Sequence, residues 1–152
     1  MAVNEKPSLL LQYVGILWFM SMSIGALIWF GVNAVFTVRQ LATNQASISF
    51  DKGAFYMLGI GIALGALVIA MILEVWKKKP TSDNLSRKLT RTALLGIAIT
   101  FLLPQVVHYP LAHYLQQRGY QVCREASYQW LLYRKIVFMN DQEKCLELAN
   151  KK

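Results

Sequence analysis

Three long apolar segments dominate this chain of 152 residues and constrain its fold more than any other feature. They run from about Leu9 to Phe36, from Ala54 to Trp76 and from Thr92 to Leu115, and the only charged residue in them is Glu74. A lipid core about 30 Å thick is crossed by about 20 helical residues. The sequence therefore predicts three transmembrane helices, at residues 9–36, 54–76 and 92–115, in a bundle that occupies residues 1–115.

The overall composition favours a membrane protein over a nucleic-acid-binding one. Hydrophobic residues make up 55% of the chain and charged residues 16%, whereas soluble domains have about 25% charged residues. A net charge of +8 is typical of nucleic-acid binding in a soluble protein, but no base-stacking or helix-turn-helix pattern accompanies it. We therefore expect contact with membrane lipids and none with nucleic acid.

The distribution of basic residues predicts how the chain is oriented. Residues 77–91 contain six basic residues and one acidic residue. Residues 37–53 form a polar segment in which the only basic residues are Arg39 and Lys52. Loops rich in Lys and Arg remain in the cytoplasm. We therefore expect a basic cytoplasmic loop at 77–91 and a cytoplasmic N-terminus, with a polar loop at 37–53 and a tail at 116–152 on the other side.

Both cysteines, Cys123 and Cys145, fall in this exported tail. Two cysteines in one exported segment favour a disulfide. The alternatives are two free thiols in a cytoplasmic tail and a metal pair, although a metal pair lacks histidines at ligand spacing. The predicted fold class is an all-α membrane protein with a small disulfide-tied tail. Residues 128–138 are compatible with a strand or an interfacial helix, and Asn140 followed by Glu143 predicts a helix over about 141–149.

The motifs of common enzymes are not present, and we predict no enzyme, catalytic residue, cofactor or metal site. His108 and His113 are five residues apart, so they do not form the i, i+4 pair of a zinc helix. We interpret them as part of an aromatic belt at the membrane surface. A proton relay through Gln105 and His108 is the alternative.

Small residues in the first two segments predict close helix packing. Gly61 and Gly65 form a GxxxG pair, and Ser21 and Gly25 form a small-xxx-small pair. Such faces let helix backbones approach closely. We expect this packing within the bundle, and a homo-oligomer is the alternative.

Aromatic and basic residues of the tail form the candidate partner-binding set. These are Tyr120, Tyr128, Trp130, Tyr133, Arg134 and Lys135. Tyr, Trp and Arg are enriched at binding hot spots. The same residues would also anchor a tail to lipid headgroups, and the sequence leaves both roles open.

The tail also carries a resemblance. The pattern G-Y-x-x-C-x-x-x-S-x-x-W that begins at Gly119, with the later Cys145, resembles a family of small inner-membrane proteins of enteric bacteria. Its members resemble immunity proteins associated with secreted antibacterial toxins. The layout is similar to that of colicin immunity proteins, although those that act on pore-forming colicins often have four spans.

The resemblance implies an immunity protein of the bacterial inner membrane, with a periplasmic tail and a toxin as protein partner. It supplies no catalytic residues. An accessory subunit or assembly factor of a larger membrane complex is the alternative, and a membrane enzyme is a third and weaker one.

Overall fold

The computed structural model describes residues 8–77, 82–130, 133–141, 143 and 145. The elements, in chain order, are α1 (Leu9–Ala42), β1 (Ser47–Asp51), α2 (Lys52–Lys77), α3 (Asp83–Gln117), β2 (Gln121–Trp130) and β3 (Tyr133–Met139). By length and composition, each of the three helices can cross a membrane, as the sequence predicts. Helix α2 packs against both α1 and α3.

The all-α prediction is wrong in one respect, because the chain also forms a three-stranded sheet. The strands are antiparallel in the order β1-β3-β2. Strand β1 lies within the predicted polar loop at 37–53, and β2 and β3 lie within the predicted tail. Since β1 pairs with β3 across two intervening helices, its partner is remote in sequence, and the local pattern of residues 47–51 does not reveal the pairing.

The helices extend beyond the apolar segments that predicted them. Helix α1 continues to Ala42 and α3 begins at Asp83, so Arg87, Lys88 and Arg91 lie on a helix and not in a loop. Polar residues outside a lipid core can continue a helix, because helix ends depend on capping and not on hydropathy. Helix α3 also continues through Pro104 and Pro110.

Small residues mediate the contact between α1 and α2. The Ser23 hydroxyl donates a 2.8 Å hydrogen bond to the Gly61 carbonyl, and a Cβ on Gly61 would lie 2.7 Å from Cδ2 of Leu27. Gly61 and Gly65 therefore face α1. The predicted partners Ser21 and Gly25 are exposed instead. Each is two residues from Ser23, which is about 200° around a helix.

A second close contact joins α2 to α3. A Cβ on Gly96 would lie 2.8 Å from the backbone nitrogen of Ala63 and 2.8 Å from the carbonyl oxygen of Gly59. A Cβ on Gly59 would clash with Gly96 and Thr100. Neither glycine belongs to the predicted GxxxG pair, so α2 uses two different glycine faces for its two neighbours.

The main core lies where the sheet meets the helix ends. One face of the sheet, the inner face, carries Ile48, Phe50, Ile136 and Phe138, and Phe50 and Phe138 are fully buried. This face packs against side chains from all three helices. They include Phe30, Leu41, Phe55, Leu103, Val107, Leu111 and Leu115. The sheet is thus seated on one end of the helical bundle.

Candidate binding surface on the sheet

The turn that leads from α3 into the sheet depends on glycine. Gly119 has φ of 83°, a left-handed conformation that favours glycine at the end of a helix. Tyr120 follows and is only 6% exposed, and its hydroxyl donates a 2.9 Å hydrogen bond to the Gln45 carbonyl. Although predicted to bind a partner, Tyr120 lies in the core, where its ring packs and its hydroxyl is satisfied.

The predicted disulfide between Cys123 and Cys145 is present. The two Cα atoms are 5.8 Å apart, within the usual range of about 4.4–6.8 Å. Cys123 forms a small cluster with Val137 and Met139 on the face of the sheet opposite the inner face, which we call the outer face. The bond therefore fastens the chain near Cys145 over this second, smaller core.

A bulge in β2 interrupts its pairing with β3 between Cys123 and Tyr128. Ser127 compensates for the lost pairing. Its hydroxyl donates to the Cys123 carbonyl at 2.6 Å and accepts from the Val137 N–H at 3.2 Å. Within the motif, Gly119 thus makes a turn, Tyr120 a core contact, Cys123 a disulfide and Ser127 a bridged bulge. All four roles are structural.

The free edge of β1 is closed by the end of α1. The Ser49 N–H donates to Oε1 of Gln40 at 2.9 Å. The Thr37 hydroxyl donates to the Asn33 carbonyl at 2.9 Å and also lies 3.5 Å from the Ser49 carbonyl. Gln40 and Thr37 are both buried. An edge strand with unpaired backbone groups is a template for pairing with another chain, and these two side chains remove that opportunity at β1.

Of the predicted partner-binding residues, Tyr128 and Lys135 share the outer face. They pair directly across the hairpin, and both are exposed. Lys135 is two residues from Val137 of the outer cluster, and residues two apart in a strand lie on the same face. Tyr128 and Lys135 therefore project away from the helices.

Arg134 lies on the opposite face. It is two residues from Ile136 of the main core, so its side chain projects toward the helix side of the sheet. The backbones of Trp130 and Tyr133 pair at the end of the hairpin, and their side chains lie outside the described part of the structure. The predicted set is thus divided between the core and two faces.

A cleft of about 480 Å³ opens beside the disulfide. Its polar lining residues include Gln121, Arg124, Glu125, Asn140 and Asp141. Sequence reasoning did not assign these residues to a cleft, because it is the pairing of Gln121 with Met139, remote in sequence, that brings β2 close to Asp141. Asp141, and not the predicted Asn140, accepts a 3.1 Å hydrogen bond from the Glu143 N–H. The predicted helix at 141–149 lies mostly outside the described residues.

The two histidines are in different surroundings. His113 is hydrogen-bonded to Gln117 at 3.0 Å, whereas the His108 ring stacks on Phe50 at 5.9 Å. Among the described residues, no group of three or more His, Cys, Asp or Glu side chains is placed to hold a metal ion. The exposed part of the outer face, at Tyr128 and Lys135, and the adjoining cleft are the candidate site.

These features define a class of membrane-helix protein that carries a small disulfide-tied sheet on one end of its helices. Residues 48–145 match the model of the family described as "Protein of unknown function (DUF1240)". This match covers more than half of the chain, and the chain belongs to that family. The matched region contains β2, β3, both cysteines and all of β1 except Ser47. Comparisons with curated proteins and with solved structures find no match.

Proposed function

We propose that this chain is an inner-membrane immunity protein that binds and neutralises a membrane-acting or periplasmic antibacterial toxin. The observation that supports this most is the fixed sheet, whose outer face is exposed at Tyr128 and Lys135, beside the buried disulfide cluster. The inner face and the β1 edge of the sheet are packed on the helix ends. A surface held in place before binding loses less entropy when a partner arrives.

The path of the chain supports the orientation that this function requires. Helices α1 and α3 end at the sheet and α2 begins there, so Arg87, Lys88 and Arg91 lie at the opposite end of the bundle. A concentration of basic residues favours the cytoplasm for that end. A disulfide persists in an oxidising compartment such as the periplasm. Both arguments favour a cytoplasmic N-terminus and a periplasmic sheet.

The outer surface has the chemistry expected of a protein-binding site. Tyr128 provides aromatic contact area, and Lys135 and Arg124 provide positive charge. Strand β2 is the second edge of the sheet, with no strand beyond it among the described residues, so its backbone near Tyr128 can pair with an extended segment of a partner. A toxin bound there would be held outside the bilayer before it could insert.

Survival of cells exposed to the toxin tests this proposal, with the product of the adjacent gene as the candidate toxin. Tyr128→Ala and Lys135→Gln should each weaken protection. Lys88→Gln, an equal change at the opposite end of the bundle, should protect like the unmodified chain. Immunoblots of membrane fractions establish equal protein levels. Equal protection by all three variants contradicts the surface, and no protection by the unmodified chain contradicts the function.

An accessory subunit of a larger membrane complex is the second candidate function. It is favoured by the exposed face of α1, where a Cβ on Gly25 would meet no atom within 4 Å and Ser21 is also exposed. Another helix, from a different protein or a second copy, can approach closely there. This candidate predicts that Gly25→Leu abolishes co-purification with other membrane proteins, whereas Tyr128→Ala has no effect.

A further inference from the structure

A second group of polar side chains lies on the helix side of the sheet, away from the proposed partner surface. Lys52 is the first residue of α2, His108 lies on α3, and Arg134 projects from the inner face of β3. Asp51 of β1 pairs with Lys135 of β3, so Lys52 and Arg134 each lie one residue from that pair, at the same end of the two strands. The His108 ring stacks on Phe50 of the inner face. Three separate elements thus bring three nitrogen donors together where the sheet meets the helices.

Lys52 is the most buried of the three, with 7% of its surface exposed. The adjacent Asp51 carboxylate accepts hydrogen bonds through Oδ1 from the N–H groups of Gly53 at 2.8 Å and Ala54 at 3.3 Å. A lysine ammonium removed from water requires compensating charge or hydrogen bonds, and an anion bound beside Lys52 would add to them.

His108 has a ring nitrogen that lacks a hydrogen-bond partner. Its Nδ1 atom is buried and has no hydrogen-bond partner among the described residues. The ring is held in place by stacking on Phe50, with 5.9 Å between the ring centroids. Buried polar atoms in folded proteins nearly always have a partner, so this nitrogen is consistent with a ligand that reaches the junction.

We infer that Lys52, His108 and Arg134 bind a phosphate group at the membrane surface. Phosphate has several acceptor oxygens, and arginine and lysine are its usual protein partners. The positive end of the α2 dipole adds to the attraction. In a membrane crossed by these helices, the helix side of the sheet faces the headgroups, where an anionic lipid presents such a phosphate.

Native mass spectrometry of the purified full chain tests this, with phosphatidylglycerol and phosphatidylcholine offered in equal amounts. We expect selective retention of phosphatidylglycerol, and a loss of about tenfold in Arg134→Gln and in Lys52→Gln. Arg134 is exposed, so its replacement leaves the fold in place. Lys135→Gln is the matched control, because the adjacent side chain lies on the other face and should not affect the lipid.

A second arm replaces the lipid with inorganic phosphate and measures thermal unfolding. If phosphate stabilises the unmodified chain but not Arg134→Gln, and the two lipids are retained equally, the site binds free phosphate. If phosphatidylglycerol is retained selectively and phosphate does not stabilise the chain, the site binds a lipid headgroup. Equal retention of the two lipids with no effect of phosphate overturns the inference, as does an equal loss in Lys135→Gln. The inference is independent of toxin binding, because Lys135→Gln should impair protection and leave the lipid bound.

Discussion

The two edges of the sheet are treated in opposite ways. At β1, buried side chains of α1 bond to the backbone of Ser49 and close the edge. At β2, no strand or helix plays that role among the described residues, and a bulge bridged by Ser127 makes the edge irregular. The closed edge attaches the sheet to the membrane helices. The open edge and the exposed part of the outer face beside it form the surface where we propose that a partner binds, and the irregular edge discourages unspecific pairing.

The largest expected effect concerns the disulfide on the β2 side. Cys145→Ser should lower the free energy of unfolding by about 3 kcal/mol, because the segment between the cysteines gains freedom in the unfolded chain. Thermal or denaturant unfolding of the purified protein in micelles measures this. Reduction of the unmodified protein should reproduce the loss. A stability insensitive to both changes would show that the outer face needs no fastening.

The next effect tests the closed edge. Gln40→Leu should cost about 1–3 kcal/mol, because it leaves the partly buried N–H of Ser49 without its acceptor. Gln116→Leu is the control, since Gln116 is exposed on α3 and surface changes are usually within about 0.5 kcal/mol. Equal unfolding curves for the two variants would mean that α1 does not close β1.

A smaller effect is expected at the bulge of the open edge. Ser127→Ala removes the hydroxyl between Cys123 and Val137 and should cost about 1 kcal/mol. The amide of Val137 should then exchange with deuterium faster, while the amide of Ser49 at the other edge is unchanged. Hydrogen–deuterium exchange with fragment analysis measures both. Faster exchange at both sites would indicate general loosening of the sheet.

The membrane helices and the disulfide were predictable from the sequence, because both depend on local composition. Apolar runs long enough to cross a lipid core are visible directly, and Cys123 and Cys145 share one segment. The sheet was not predictable in the same way. Its β1 strand is five residues long and gains its stability from β3 and from helix ends that are distant in sequence.

The candidate site was predictable only by residue type. Tyr120 and Tyr128 look equivalent in the sequence, yet one is a core residue and the other is exposed, because their positions in the turn and the bulged strand differ. Arg134 and Lys135 are adjacent and lie on opposite faces, a distinction that requires knowledge of the strand. Gly59 and Gly96 pack α2 against α3, although they form no motif within either helix.

The central claim is that a partner meets the open side of the sheet and not the closed edge or the membrane helices. Photocrosslinking in living cells tests it, with a photoreactive amino acid placed in turn at position 128 beside the open edge, at position 46 before β1, and at position 25 on the exposed face of α1. We predict a crosslinked protein partner from position 128 and none from positions 46 and 25. Crosslinks from position 25, with none from position 128, would place recognition within the membrane and contradict the account.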